Sequence, residues 1–203
     1  MKSDLRVSGQ PSRCLARLAI ACVVLLLSST VAAAKDRPIF VYTQSPESRV
    51  YADLQFGLNA ISQSGLDFFP KVISGGVGVW LFDNIGVEIH FDGGIATDSD
   101  GAFTAELEEA VGLSLRFQSP PVRGLAAYIN VGVVDFQLVQ VESDSRGTRR
   151  VSEGFGGARI SLGVVQRLPI YDFLHVTGEY RTYLSDSDLQ VDTLAIGLRI
   201  NLK

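Results

Sequence analysis

The feature that most constrains this chain is a two-residue alternation of apolar and polar side chains, repeated in eight segments. The last segment is the clearest. Leu194, Ile196, Leu198, Ile200 and Leu202 fall on one side, and Thr193, Ala195, Gly197, Arg199 and Asn201 on the other. Successive residues of a strand point to opposite faces, so each such segment has one face in each of two environments. The same pattern sets Val50, Ala52, Leu54, Phe56 and Leu58 against Tyr51, Asp53, Gln55, Gly57 and Asn59. It sets Ile85, Val87, Ile89 and Phe91 against Gly86, Glu88, His90 and Asp92, and Val111, Leu113, Leu115 and Phe117 against Ala110, Gly112, Ser114 and Arg116. It recurs at 125–133, 158–164 and 174–181. The segment 72–82 is less regular. A three-residue loop 82–84 would keep Leu81 and Ile85 on one face, and a two-residue turn at Asp83-Asn84 would reverse it.

No helix explains the apolar content. The chain is 46% hydrophobic with a mean hydropathy of +0.22, yet no run of 18 apolar residues exists to span a bilayer. Residues 1–34 read as a secretory signal peptide. A basic lead (Lys2, Arg6, Arg13, Arg17) precedes the ten-residue apolar core Leu18–Leu27, and Ala32-Ala33-Ala34 supplies the small residues of a cleavage site before Lys35. Those 34 residues hold four basic residues and one acid, so the mature chain 35–203 carries 14 basic and 21 acidic residues and a net charge of −7. Both cysteines, Cys14 and Cys22, leave with the leader, so neither disulfides nor a cysteine metal site is available. The acidic balance argues against nucleic acid as a partner.

The expected strands are 50–59, 72–82, 85–93, 104–117, 125–138, 151–167, 174–184 and 188–202. Long polar connections are expected at 60–71, 94–103 and 139–150, alternating with short turns. Even strand number, with short turns at one end and long loops at the other, is the plan of an outer-membrane barrel. A soluble lipocalin-type barrel also alternates, but with its apolar face inward. Three features favour apolar outward. The polar face is rich in glycine and alanine, as the narrow lumen of an eight-stranded barrel requires. The mature chain has only Lys35, Lys71 and Lys203 as lysines. Aliphatic side chains fill the other face strand after strand.

The end of the chain, Gly197-Leu198-Arg199-Ile200-Asn201-Leu202, resembles the assembly signal of outer-membrane proteins, with Gly197, Ile200 and Leu202 at its key positions. Val79-Trp80-Leu81-Phe82-Asp83-Asn84-Ile85-Gly86-Val87-Glu88 resembles the second hairpin of the small outer-membrane beta-barrel domain family, the OmpA/OmpX/OmpW-like group. That signal usually closes on an aromatic residue, whereas this chain ends Leu202-Lys203. The resemblance implies an all-β, eight-stranded, antiparallel, up-and-down transmembrane barrel. It implies periplasmic chaperones and the barrel-assembly machinery as partners during biogenesis, and lipopolysaccharide as the outer-leaflet neighbour. No peptidoglycan-binding domain is expected after the eighth strand.

Parity assigns Asp53, Glu88, His90, Asp92, Glu106, Glu108, Arg116, Arg159, Arg167, His175, Glu179, Arg181 and Arg199 to the inward face. Such a set forms either a salt-bridge ladder filling the lumen or a polar conduit, and the ladder is the favoured reading. His90 between Glu88 and Asp92 would be held as a cation if the three lie together. No cofactor, metal or catalytic residue is expected. His175-Val176-Thr177 with Glu179 distantly resembles a lipid-A deacylase pattern, but all three polar residues point inward and the serine is missing. Asp98-Ser99-Asp100-Gly101 lacks the later glutamate of a calcium loop. Arg146, Arg149 and Arg150 in the mixed-charge loop 142–150 are candidate contacts for lipopolysaccharide phosphates or simply a solvated face. Glu109 has lipid-facing parity and is expected near the outer rim.

The sequence therefore predicts a monomeric envelope barrel in the outer membrane of a Gram-negative bacterium, with a structural or surface-interaction role and a largely filled polar lumen. A narrow passive channel is the alternative. A soluble ligand-binding barrel or a lipid A-modifying enzyme is less favoured. N-terminal sequencing of the envelope form checks the leader directly: it should begin at Lys35.

Overall fold

The structure, a computed structural model, describes residues 49–63, 66–100, 103–144, 147–185 and 189–202. The leader 1–34, Lys35, Gly101, Arg146 and Lys203 lie outside the described residues. Among the described residues ten strands form in sequence order: β1 (Val50–Gln63), β2 (Leu66–Phe68), β3 (Lys71–Trp80), β4 (Ile85–Ala96), β5 (Asp98–Asp100), β6 (Phe103–Gln118), β7 (Leu125–Asp144), β8 (Gly147–Leu168), β9 (Tyr171–Ser185) and β10 (Gln190–Leu202). They make eight staves, because β2 leads into β3 and β5 continues β4. Pro70 lacks an N–H and sits at the first break, yet its carbonyl still accepts from Asn59 N at 2.9 Å. Every pairing is antiparallel, and β10 closes onto β1 from Val50↔Leu202 to Ser62↔Gln190.

The barrel is inside out relative to a soluble domain. Leu54, Val133 and Ile196 are 60%, 64% and 65% exposed, while Arg116, Arg159, Arg181 and Arg199 are 1%, 2%, 1% and 2% exposed. The outward row of β1 runs from Val50 to Leu58. At about 3.3 Å per residue and a tilt of about 40° it spans on the order of 20 Å, near the roughly 25 Å apolar band of such barrels. Closure leaves no sheet edge within that band, which lipid would not tolerate.

The ambiguous hairpin resolves to the three-residue loop. Trp80 faces Gly86, and Leu81 N bonds Ile85 O at 2.9 Å, so Leu81 and Ile85 share a face. Ile73, Val77 and Val79 therefore face outward, and Trp80 turns in against Tyr51. Between β6 and β7 a two-residue turn is closed by mutual Val122–Leu125 backbone bonds. It needs positive φ at both central positions, Arg123 (54°) and Gly124 (82°), the mirror-image turn that matches strand twist.

Two expectations are corrected. The long connections are largely strand: 139–150 is the tip of the β7–β8 hairpin, with Val141 opposite Arg150 and Glu142 opposite Arg149. Outside the membrane a strand needs no apolar face, so alternation gave no sign of it there. The upper part of β6 also changes face. A bulge at Glu108 shifts the register between Leu107↔Leu138 and Glu109↔Gln137. One extra residue reverses parity beyond it. Leu107 and Ala105 thus turn inward and are buried, and Glu106 turns out. Glu109 stays outward beside Gln137, two pairs above Val111↔Asp135, at the outer edge of the apolar band.

That placement has a measurable consequence. Leu113→Arg, mid-band, should destabilise the barrel by about 2–4 kcal/mol, and Glu109→Arg by about 0–1 kcal/mol, in urea unfolding from lipid vesicles.

Candidate functional site in the barrel interior

The interior is built in layers. At the periplasmic end, Arg199 on β10 grips Asp53 on β1 with two hydrogen bonds, Nε to Oδ1 at 2.8 Å and Nη2 to Oδ2 at 2.5 Å. The two residues are opposite one another across the closing seam. The Arg199 guanidinium lies 4.0 Å from the Tyr51 ring centre, and that of Arg116 lies 3.4 Å from the Tyr128 ring centre. Each tyrosine needs a glycine wall. Tyr51 faces Gly78 and Tyr128 faces Gly163, and a Cβ at either glycine would strike the ring.

Glu88 occupies the middle. It accepts from Arg116 Nη1 (3.1 Å), Tyr51 Oη (3.0 Å), Asn130 Nδ2 (3.4 Å) and Arg159 Nη1 (3.5 Å). Glu179 accepts from Tyr128 Oη (2.8 Å) and Arg159 Nη2 (3.0 Å), with Arg181 Nε 3.1 Å away. Above it, Arg181 donates to Asp92 (2.6 Å), Ser74 (3.1 Å) and Gln55 (2.5 Å), and Tyr183 donates to Asp92. Four carboxylates thus meet four arginines, and the described buried network is electrically balanced. The polar gap among Asp53, Gln55, Ser74, Glu88, His90 and Arg181 has room for about 10 Å³, roughly one water.

His90 has a different neighbour from the one its sequence context suggested. Arg159 Nη1 stands 3.1 Å from its Nδ1. Arginine only donates, so that ring nitrogen must accept and the ring is not a doubly protonated cation. Glu88 and Asp92, its expected partners, are both committed to arginines. Among the described residues no His/Cys/Asp/Glu group is arranged to hold a metal ion.

Toward the outside the interior turns apolar. Ile61, Phe68, Val72, Leu107, Phe136, Tyr183 and Val191 form one buried cluster, with Phe136 stacked on Phe155 at 5.5 Å. This cap was not foreseen. Part of it exists only through the Glu108 bulge, although the inward parity of Val134, Phe136 and Val191 was available as a signal.

Of the thirteen inward candidates, Asp53, Glu88, His90, Asp92, Arg116, Arg159, Glu179, Arg181 and Arg199 are brought together. His175 faces in, half-buried at the periplasmic end, opposite Arg199. Three do not belong. Glu106 points out, and Glu108 is 42% exposed and meets Arg150 (3.5 Å) and Ser152 (3.4 Å) outside. Arg167 has inward parity but sits at the rim, 56% exposed, 3.7 Å from Asp172. Tyr51, Tyr128, Tyr183, Gln55, Ser74 and Asn130 complete the network and were missed. They share its parity, but uncharged residues drew no attention. Thr177 and Glu179 face the interior, and Asp98 accepts from Phe69 N at 2.8 Å.

A sequence model described as the outer membrane protein beta-barrel domain matches residues 19–201. The chain belongs to this family. It is therefore an integral barrel of the Gram-negative outer membrane. Solved structures agree on the fold. Neisserial surface protein A aligns with a TM-score of 0.57 and 12% identity over 76% of this chain and 98% of that one. Ail, the attachment invasion locus protein of Yersinia pestis, solved with the heparin analogue sucrose octasulfate, aligns at 0.56 and 12% over 76% and 100%. No curated protein sequence matches this one.

The layered ion pairs give a direct test. Glu88→Ala leaves Arg116 and Arg159 without one of their counter-ions in a buried site and should cost about 3–5 kcal/mol in urea unfolding. Arg167→Ala, at the solvated rim, should cost about 0–1 kcal/mol.

Proposed function

We propose that this protein is a non-conducting and non-catalytic barrel of the envelope, monomeric within its own membrane, whose role is exerted by its outer surface. The observation that carries this reading is the interior itself. A charge-balanced arginine–carboxylate network lies under an apolar cap, with room for about one water between the network's side chains. A passing solute would have to break several buried ion pairs and open the cap. In this reading the inward His175, Thr177 and Glu179 have a structural task, since lipid substrates lie on the other face.

The same reading takes the segment 1–34 as a cleaved leader. Chaperones and the barrel-assembly machinery receive the chain, with Gly197, Ile200 and Leu202 as the assembly signal. Lipopolysaccharide surrounds the outer half, where Arg149 and Arg150 stand exposed.

Conductance of the folded protein in planar bilayers is the test. The expected record has no reproducible steps in wild type. Uniform single-channel steps would replace this reading with a narrow passive channel.

A further inference from the structure

Strand β8 is paired unequally on its two sides. Toward β7 it is paired from Leu125↔Gln166 as far as Asp144↔Gly147. Toward β9 pairing begins only at Gly157↔Ser185. Among the described residues, Gly147–Gly156 therefore has one edge with no strand beside it. This edge stands beyond the membrane on the loop side. A bare edge presents a row of backbone donors and acceptors to another strand.

The side chains along this edge are ordered. Val151, Glu153 and Phe155 line a shallow groove with Leu138 and Gln140 on one face. Arg150 and Ser152 lie on the other face, against Glu108. Alternation puts Arg149 with Val151 and Glu153. Arg149 and Glu153 are exposed, and Val151 between them is half-buried. The sequence basic–x–apolar–x–acidic is its own complement when a copy runs antiparallel. Centred on Val151, such pairing sets Arg149 of each copy opposite Glu153 of the other, and Val151 opposite Val151. Charges on an edge ordinarily repel a second copy, but this order makes them attract.

We propose that the β8 edge, Gly147–Gly156, joins a second copy of this chain held in a facing membrane. Direction settles the facing membrane. Two barrels in one bilayer run β8 the same way, and a two-fold axis along the membrane normal keeps them parallel. Antiparallel pairing about a two-fold needs the second barrel inverted. Gly157 to Val151 is about 20 Å along the strand, so two tilted copies hold their membranes on the order of 30 Å apart. The contact thus forms where surface carbohydrate is thinner than that gap. It is weak singly and gains strength from many copies facing one another.

The test uses the folded barrel in phosphatidylcholine vesicles formed by detergent removal, so that barrels point both ways. Wild-type vesicles should aggregate, read as turbidity. Arg149→Glu alone places acid against acid, and Glu153→Arg alone places base against base. Each should weaken aggregation roughly tenfold or more. Vesicles of the two single variants should aggregate when mixed, because each then meets its complement, and the double swap should aggregate by itself. Heat-modifiable gel mobility confirms that every variant is folded. Wild-type vesicles that stay dispersed, single variants that aggregate like wild type, or a mixture that stays dispersed would each overturn the proposal.

Discussion

Everything in this molecule depends on the need to pair each backbone N–H and C=O where no water can reach. A sheet meets that need in hydrocarbon only by closing, and this one closes through thirteen residue pairs between β1 and β10. The seam joins the two ends of the chain's described part, so closure comes at the highest entropy of loop formation. It also carries the shortest ion pair among the described residues. Arg199 and Asp53 are cross-strand neighbours on that seam, and their bidentate bond lies on the inner face. Backbone pairing and side-chain pairing therefore specify the same register. A one-residue slip would send the guanidinium into lipid.

Closure with eight strands then dictates the interior. The lumen is too narrow to be empty and too enclosed for isolated charges. Arginine suits it because a planar guanidinium both forks onto carboxylates and stacks on tyrosine rings. Arg199 does both at once, and Arg116 meets Glu88 through one nitrogen while stacking on Tyr128. Flat rings at the wall require glycine on the neighbouring strand, as at Gly78 beside Tyr51 and Gly163 beside Tyr128. The apolar cap at the outer end keeps water from that side. The ion pairs beneath it then act in a low dielectric, where a partnered charge is held firmly and an orphaned one is costly. Such networks are weak sources of net stability. Here the layered partners, drawn from β1, β4, β6, β8, β9 and β10, distinguish the native arrangement of staves from shifted ones.

The architecture was legible because lipid enforces a strict rule on every second residue. Strands such as 194–202 and 85–91 announce both their existence and their faces. Nine of the thirteen inward candidates meet in the network for the same reason. The failures mark where that rule lapses. Glu106 and Glu108 were misplaced because a bulge adds one residue to the count without changing composition. Arg167 kept its parity but passed beyond the end of the lumen, which alternation does not measure. The extent of β7 and β8 was hidden because outside the membrane apolar and polar residues mix on both faces of these strands. The tyrosines were overlooked because parity was read for charge, although Tyr51 with Gly78 and Tyr128 with Gly163 are a large–small pairing that the register makes specific.

The pairing rule also explains where the molecule stops being a closed barrel. At Gly157, β8 parts from β9, and the close approach of Leu184 O to that glycine marks the last point of tight contact. Below it an open edge would be intolerable in hydrocarbon. Above it water satisfies the backbone, so β8 can rise with β7 as its one strand neighbour among the described residues. Gly154 and Gly156 have open space where a side chain would stand, so little crowds the backbone there. The physical boundary of the membrane thus divides one continuous strand into two kinds of chemistry. The lower part is fixed by its neighbours on both sides. The upper part keeps its strand geometry with β7 as its one neighbour among the described residues.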